Sequence, residues 1–319
     1  MAIQARKEKF KGIILPAANA GEASIVNNLE VIPVANLREA VDFLNGKKEI
    51  QPLVKDTREL FEVAQHHDDL DFIDVKGQES AKRALEVAAA GGHNLLLIGP
   101  PGGGKTMLAK RIPTILPPFT LAESLESTKI HSVAGKLGAD SALLARRPFR
   151  APHHTTSDVA LVGGGTFPQP GEVSLAHNGV LFLDELAEFK RNVLEVMRQP
   201  LEERYITVSR AKLSVQFPAN FMLIASMNPC PCGFYNHPDK ECFCGPQVVR
   251  RYLGRVSGAL LDRIDIHLEV TPVKFDALVA RPRGESSADV RARVIAARER
   301  QQKRFENWPG IHSNAMMPP

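Results

Sequence analysis

Residues Gly99-Pro100-Pro101-Gly102-Gly103-Gly104-Lys105-Thr106 read G-x-x-x-x-G-K-T. They follow the apolar run Asn94 to Ile98 and precede Met107 to Arg111, which can start a helix, so the local order is strand, loop, helix. Glycines at 102, 103 and 104 let backbone N–H groups converge on phosphate oxygens at a helix N-terminus, where the dipole already favours an anion. Lys105 is placed to reach the β- and γ-phosphates and the Thr106 hydroxyl to ligate Mg²⁺. The expected ligand is a nucleoside triphosphate with its magnesium ion.

A second apolar run, Val180 to Leu183, ends in Asp184 and Glu185, about eighty residues after the loop. Paired acids at the carboxyl end of a buried strand suit a parallel sheet whose ligand crevice lies at that edge. Asp184 would hold the hydration shell of Mg²⁺ and Glu185 would polarise the attacking water as general base. A third run, Phe221 to Met227, ends in Asn228, whose amide can hold that water or sense the γ-phosphate. Arg263 follows the short apolar turn Gly258 to Leu261. It can neutralise charge on a phosphoryl group in a neighbouring subunit, or form a surface ion pair with Asp262 or Asp265.

These groups need elements to carry them. Gln78 to Ala90 reads as an Ala-rich helix stopped by Gly91-Gly92 ahead of the loop's strand. Tyr205 to Ser209 and Leu213 to Phe217 alternate apolar and polar residues about the turn Arg210-Ala211-Lys212, a β-hairpin pattern. Between the loop and the acid pair lie some seventy residues, more than one helix and strand require. Within them Arg146, Arg147, Arg150, His153 and His154 suggest an extended basic loop. The helix pattern Gln247 to Arg255 carries Arg250 and Arg251. A charged helix with a serine N-cap runs from Ser286 to Phe305. Residues 1–50 alternate β and α segments too briefly to bury a core of their own, and read as the end of a domain. Residues 51–70 are polar and read as a linker, with His66 and His67 in a solvated stretch.

Apolar residues make up 44% and charged residues 24% of 319, enough for a large buried core in two or three units. A net charge of +4 permits a nucleic-acid partner without demanding one. No apolar run approaches the roughly 18 residues of a membrane span, and residues 1–7 lack a signal-peptide core, so the expectation is a cytoplasmic protein without a membrane partner. The four cysteines form two C-x-C pairs, Cys230/Cys232 and Cys242/Cys244. Four thiolates at this spacing can close a structural zinc site, although the pairs are tighter than the usual C-x-x-C; reduced free cysteines and disulfides remain alternatives.

The order phosphate loop, acid pair, amide, Leu-Leu-Asp-Arg resembles that of AAA+ ATPases. Residues 71–274 resemble a magnesium-chelatase-type AAA+ module, specifically that of the ComM/YifB family. The likeness is carried by Phe149 to Ser157, Gly163-Gly164-Gly165, Met227-Asn228-Pro229-Cys230-Pro231-Cys232-Gly233, and Gly258 to His267. Phe10 to Ala20 resembles the end of that family's Lon-protease-like α/β domain (ribosomal S5 domain 2-like), with no serine and lysine pair for peptidase activity. The resemblance implies an AAA+ P-loop three-layer αβα sandwich with a parallel sheet, after residues 1–50 of the Lon-like domain, the linker 51–70, and before the start of a helical lid at 275–319.

It implies further that Val75 and Gly77 lie against the adenine of ATP, that Asn228 is the sensor 1 residue, and that Arg263 acts in trans. Family members carry a sensor 2 arginine on a later lid helix, so residues 1–319 are expected to bind ATP better than to hydrolyse it. A homo-hexameric ring is implied, acting on single-stranded or branched DNA as in ComM-type branch migration during natural transformation; Arg210 and Lys212 are candidate DNA contacts or else solvated turn charges, and Arg250 and Arg251 candidate contacts to DNA or to the next subunit. The alternative is a protein-remodelling or metal-insertion ATPase like the small subunit of magnesium chelatase.

Overall fold

The computed structural model describes residues 1–24, 26, 28–53, 70–137, 143–210, 213–273 and 284–317. The chain divides into two units, Met1–His67 with Pro118–Arg146, and Asp68–Pro117 with Arg147–Pro319. In the first unit, strands β1 (Gly12–Pro16) and β2 (Glu30–Val34) pair in parallel, with Gly12 opposite Glu30. The helix Ala17–Ala23 connects them and buries Ala20 and Ala23 against Val31. Here the helix Leu121–Val133 belongs too, opened by a capping box in which Thr120 and Glu123 satisfy each other's backbone amides.

The second unit is built on a parallel sheet of β4 (Phe149–Arg150), β7 (Val180–Leu183), β10 (Met222–Met227), β3 (Leu95–Ile98) and β11 (Ile266–Glu269), in the order β11-β3-β10-β7-β4. Two short hairpins stand beside it, β5 (Gly163–Gly164) with β6 (Gln169–Pro170) and β8 (Tyr205–Arg210) with β9 (Leu213–Pro218). The three runs legible in the sequence are its central strands, buried on both faces, which is why they read as unbroken apolar stretches.

Alternate side chains divide between two cores. Leu95, Leu97, Val180, Phe182, Met222 and Ile224 pack under the helices Glu79–Gly91, Lys105–Ile115 and Ser287–Arg304. Leu96, Leu181, Leu183, Leu223, Ala225 and Met227 face the opposite side, with Leu161, Val193, Tyr252 and Leu260. The period-2 pleat thus produces three layers, the αβα sandwich expected of an AAA+ protein.

The helix Ser287–Arg304, expected to open a lid, contributes Val290 and Val294 to the first of these cores. Its start is tied to the entry of the module. Asp71 accepts from the Ser287 amide at 2.9 Å, and the Phe72 amide donates to the Ser287 hydroxyl at 2.8 Å. Arg293 then pairs with Glu86, whose carboxyl it holds below the usual carboxylate range. No helix among the described residues is long and apolar enough to cross a membrane.

Candidate active site

The three central strands bring their carboxyl ends together. β10 lies between β3 and β7, with Met227 opposite Ile98 and Ala225 opposite Leu183, so the phosphate loop, Asn228 and the acid pair share one edge of the sheet. Within the loop, Gly102 and Gly104 have φ of 78° and 84°, backbone that an L side chain rarely adopts. At Gly99 the constraint is space, since a Cβ there would lie 2.3 Å from the Val270 carbonyl oxygen. The helix Lys105–Ile115 begins at Gly104 without a side-chain cap, which leaves its first amides to the loop's cradle.

Lys105 Nζ donates to the carbonyls of Gly99 at 2.7 Å and Pro100 at 2.9 Å, and to Asn228 Oδ1 at 3.2 Å. Burial pushes its pKa down, against the opposing charges of Asp184 and Glu185. Thr106 Oγ1 donates to Asp184 Oδ2 at 2.8 Å, and the Ser226 hydroxyl donates to Asp184 Oδ1. Asp184 is therefore aimed by hydroxyls from two neighbouring elements. This hydroxyl–carboxylate pair is a hard oxygen donor set suited to Mg²⁺, and the glycine cradle beside it suits phosphate.

Glu185 takes a left-handed backbone, φ 55°, as the chain leaves β7. A non-glycine residue held there costs on the order of 1 kcal/mol, and such strain collects at functional sites. Its Oε2 lies 3.2 Å from His154 Nδ1. His154 lies with its ring centroid 4.1 Å from that of His153, tilted by 34°, and edge-on to Phe189. The basic stretch before the acid pair is thus turned to internal bonds instead of an open basic loop. Arg150 forks onto Glu172 at 2.6 and 2.7 Å, and Arg147 donates to the carbonyls of Pro117 and Asn178, both at 2.7 Å.

Val75 is 1% exposed and belongs to the core beside Phe72 and Leu85. Gly77 has φ 62° and sits against Val273. Next to it, Gln78 bridges the Gly103 carbonyl at 3.2 Å and the Thr271 carbonyl at 2.7 Å, stitching the phosphate loop to the end of β11. Gln78, Ser226 and His154 are site residues that motif spacing passed over. An amide in left-handed backbone and a serine two residues before Asn228 carry no local signature.

Arg263 is bound by Glu202, with Nε at 2.9 Å and Nη2 at 2.7 Å from Oε1, and not by Asp262 or Asp265. Asp265 instead accepts from the Asn94 amide at 3.0 Å. The β8–β9 hairpin has the expected register, Tyr205 opposite Pro218 through Arg210 opposite Leu213. Lys212 and the side chain of Arg210 lie outside the described residues, as do His66 and His67. Arg250 and Arg251 are exposed on the helix Pro246–Leu253, and Arg251 lines a groove of about 480 Å³ with Arg191, Arg255 and Glu188. The four cysteine sulfurs all lie within 4.8 Å of one another, and none forms a disulfide.

The family model for magnesium chelatase, subunit ChlI, matches residues 71–278, and the chain belongs to this family of AAA+ proteins. Within it, the likeness to ComM/YifB proteins is borne out. The chain is 46% identical over 305 residues to competence protein ComM of Haemophilus influenzae, covering 95% of the chain and 59% of ComM. It is also 46% identical over 308 residues to the uncharacterized protein YifB of Escherichia coli K12, covering 95% of the chain and 59% of YifB. Magnesium-chelatase subunit ChlI of Porphyra purpurea is 24% identical over 228 residues, 64% of the chain and 57% of that protein. The chain spans about three fifths of the length of the curated ComM/YifB relatives it matches.

Proposed function

We propose that this chain is the ATP-binding and ATP-hydrolysing core of a homo-hexameric ring motor that acts on single-stranded or branched DNA in the cytoplasm. The observation that carries the ATPase reading is the bond of Thr106 to Asp184, set beside Lys105, Glu185 and Asn228 at the ends of three adjacent strands. Magnesium held by Thr106 and Asp184 would neutralise charge on the transferring phosphoryl group. Lys105 binds the β- and γ-phosphates, Asn228 orients the attacking water, and Glu185 takes its proton. The contact with His154 places that base and sets the direction from which it meets the water. Val75 contributes to the adenine side as a buried wall and Gly77 as a close backbone approach.

Arg263, on the outer face, serves a neighbouring subunit's γ-phosphate and must exchange Glu202 for it. Arg210 and Lys212, between and beside the paired strands of a β-hairpin in the sequence, and Arg250 and Arg251, exposed on the helix Pro246–Leu253, support a polyanion that is tracked by charge and not read by sequence. The name of the Haemophilus relative, a competence protein, points the same way. The match to ChlI supports a second reading, an ATPase that drives a protein partner or metal insertion.

DNA-stimulated ATPase activity separates them. With single-stranded or branched DNA, turnover of the full chain is expected to rise several-fold, and the rise is lost in the Arg210→Ala, Lys212→Ala double variant. No stimulation and no DNA binding at low salt would sink the motor reading in favour of the partner-driving one.

A further inference from the structure

The loop between Asn228 and the helix Pro246–Leu253 contains all four cysteines. Their Sγ atoms approach to 3.3 Å (Cys230 to Cys232), 3.7 Å (Cys230 to Cys242) and 3.6 Å (Cys232 to Cys242). A disulfide requires about 2.05 Å, so these sulfurs are not bonded to each other. Four thiolates at about 2.3 Å from one tetrahedral ion stand about 3.8 Å apart, which is the spacing found here. A cluster of several irons spreads its ligating sulfurs over different metal atoms and needs a wider cage.

Backbone amides also reach the sulfurs. The Tyr235 amide donates to Cys230 Sγ at 3.3 Å, and backbone hydrogen bonds reach Cys232 from Phe234 and Cys242 from Cys244. Cys230 is fully buried and the other three are half-buried.

The same loop touches the phosphate loop. After Cys232 the chain turns at Gly233, φ 83°, where a Cβ would lie 2.5 Å from Pro101 Cδ. One residue before the first cysteine pair stands Pro229, and before it Asn228, which accepts from Lys105. The cysteine cage is therefore anchored one turn from both the sensor amide and the wall of the nucleotide cradle.

We propose that Cys230, Cys232, Cys242 and Cys244 bind one zinc ion as a tetrathiolate, and that this ion holds Gly233 against Pro101 and so keeps the phosphate loop in its cradle shape. Binding converts four thiols and Zn²⁺ into Zn(S-Cys)₄²⁻ with release of up to four protons, and no change of oxidation state. The ion closes a loop of nine residues between Cys232 and Cys242 that otherwise has little secondary structure.

Elemental analysis of the full chain purified without added metal tests the site. One zinc per chain is expected, falling to background in the Cys232→Ser, Cys242→Ser variant; Co²⁺ exchanged into the site should show thiolate-to-cobalt charge transfer and tetrahedral d–d bands. Iron in place of zinc, or four thiols that react freely with a thiol reagent in the native chain, overturns it. Hydrogen–deuterium exchange tests the coupling without requiring nucleotide. Peptides covering Gly99–Thr106 should exchange about tenfold faster once zinc is stripped, while peptides of Ala17–Ala23 stay unchanged. Gly233→Ala should keep its zinc yet show the same faster exchange, which separates the clamp from loss of fold. Unchanged exchange at Gly99–Thr106 in the zinc-stripped chain overturns the clamp.

Discussion

The two halves of the proposed site are built differently. On the near side, Ser226 sits in β10, Asp184 and Asn228 just past the ends of β7 and β10, and Lys105 and Thr106 at the start of the helix after the phosphate loop, and they bond to one another, so the geometry is complete within one chain. On the far side, Arg263 is 42% exposed in its side chain and bound to one surface carboxylate, Glu202, while Arg250 and Arg251 point to solvent. Near-side residues are positioned by the core; far-side ones by a contact that a competing anion can replace at little cost, since exposed ion pairs contribute about 0–1 kcal/mol. A single subunit should therefore bind nucleotide fully and wait for a neighbour before turning it over.

Arg263→Ala is the strongest test of that division. In assembled protein it should cut turnover by about 10³-fold or more with nucleotide affinity unchanged, read by steady-state ATPase assay and by titration with a fluorescent ATP analogue. A matching loss of affinity would mean that Arg263 acts inside its own subunit. Glu185→Gln comes next, with turnover down about 10²- to 10⁴-fold and ATP still bound, because it removes the base and leaves the cradle. Ser226→Ala should have a smaller effect, a loss on the order of 1 kcal/mol in Mg²⁺-dependent nucleotide binding, seen by calorimetry, as Asp184 loses one of its two hydroxyl partners. If Ser226→Ala left magnesium dependence untouched, the near side would be less tightly organised than its hydrogen bonds indicate.

The near side was largely legible in the sequence, and the reason is physical. A strand buried on both faces is a contiguous apolar run, and the chemistry of a parallel sheet lies where such runs end. Glycines in left-handed backbone and paired acids are local signals too. Contacts between distant segments are not. Gln78 reaches a carbonyl 193 residues away, and the sequence offered two aspartates beside Arg263 where the fold supplies Glu202. His154 read as a loop residue, because nothing in its neighbourhood announces Glu185 thirty-one positions on. Arg147 and Arg150 read as free charge for the same reason, their partners Pro117, Asn178 and Glu172 being brought close only by folding. The cysteine spacing was narrower than the usual zinc pattern, yet two C-x-C turns facing each other place four sulfurs as closely as the wider spacing does.

Asn94 stands where β3 begins, and Gly99 where it ends. The Asn94 side chain donates to the Arg263 carbonyl at 2.9 Å and accepts from the Leu223 amide at 2.8 Å. Strand β3 is thus a strut of about 13 Å with the phosphate loop at one tip and the backbone of Arg263 pinned at the other. Sliding one tip drags the other, so the gap between the phosphate loop and the arginine proposed to act in a neighbouring subunit is set by the length of a single strand.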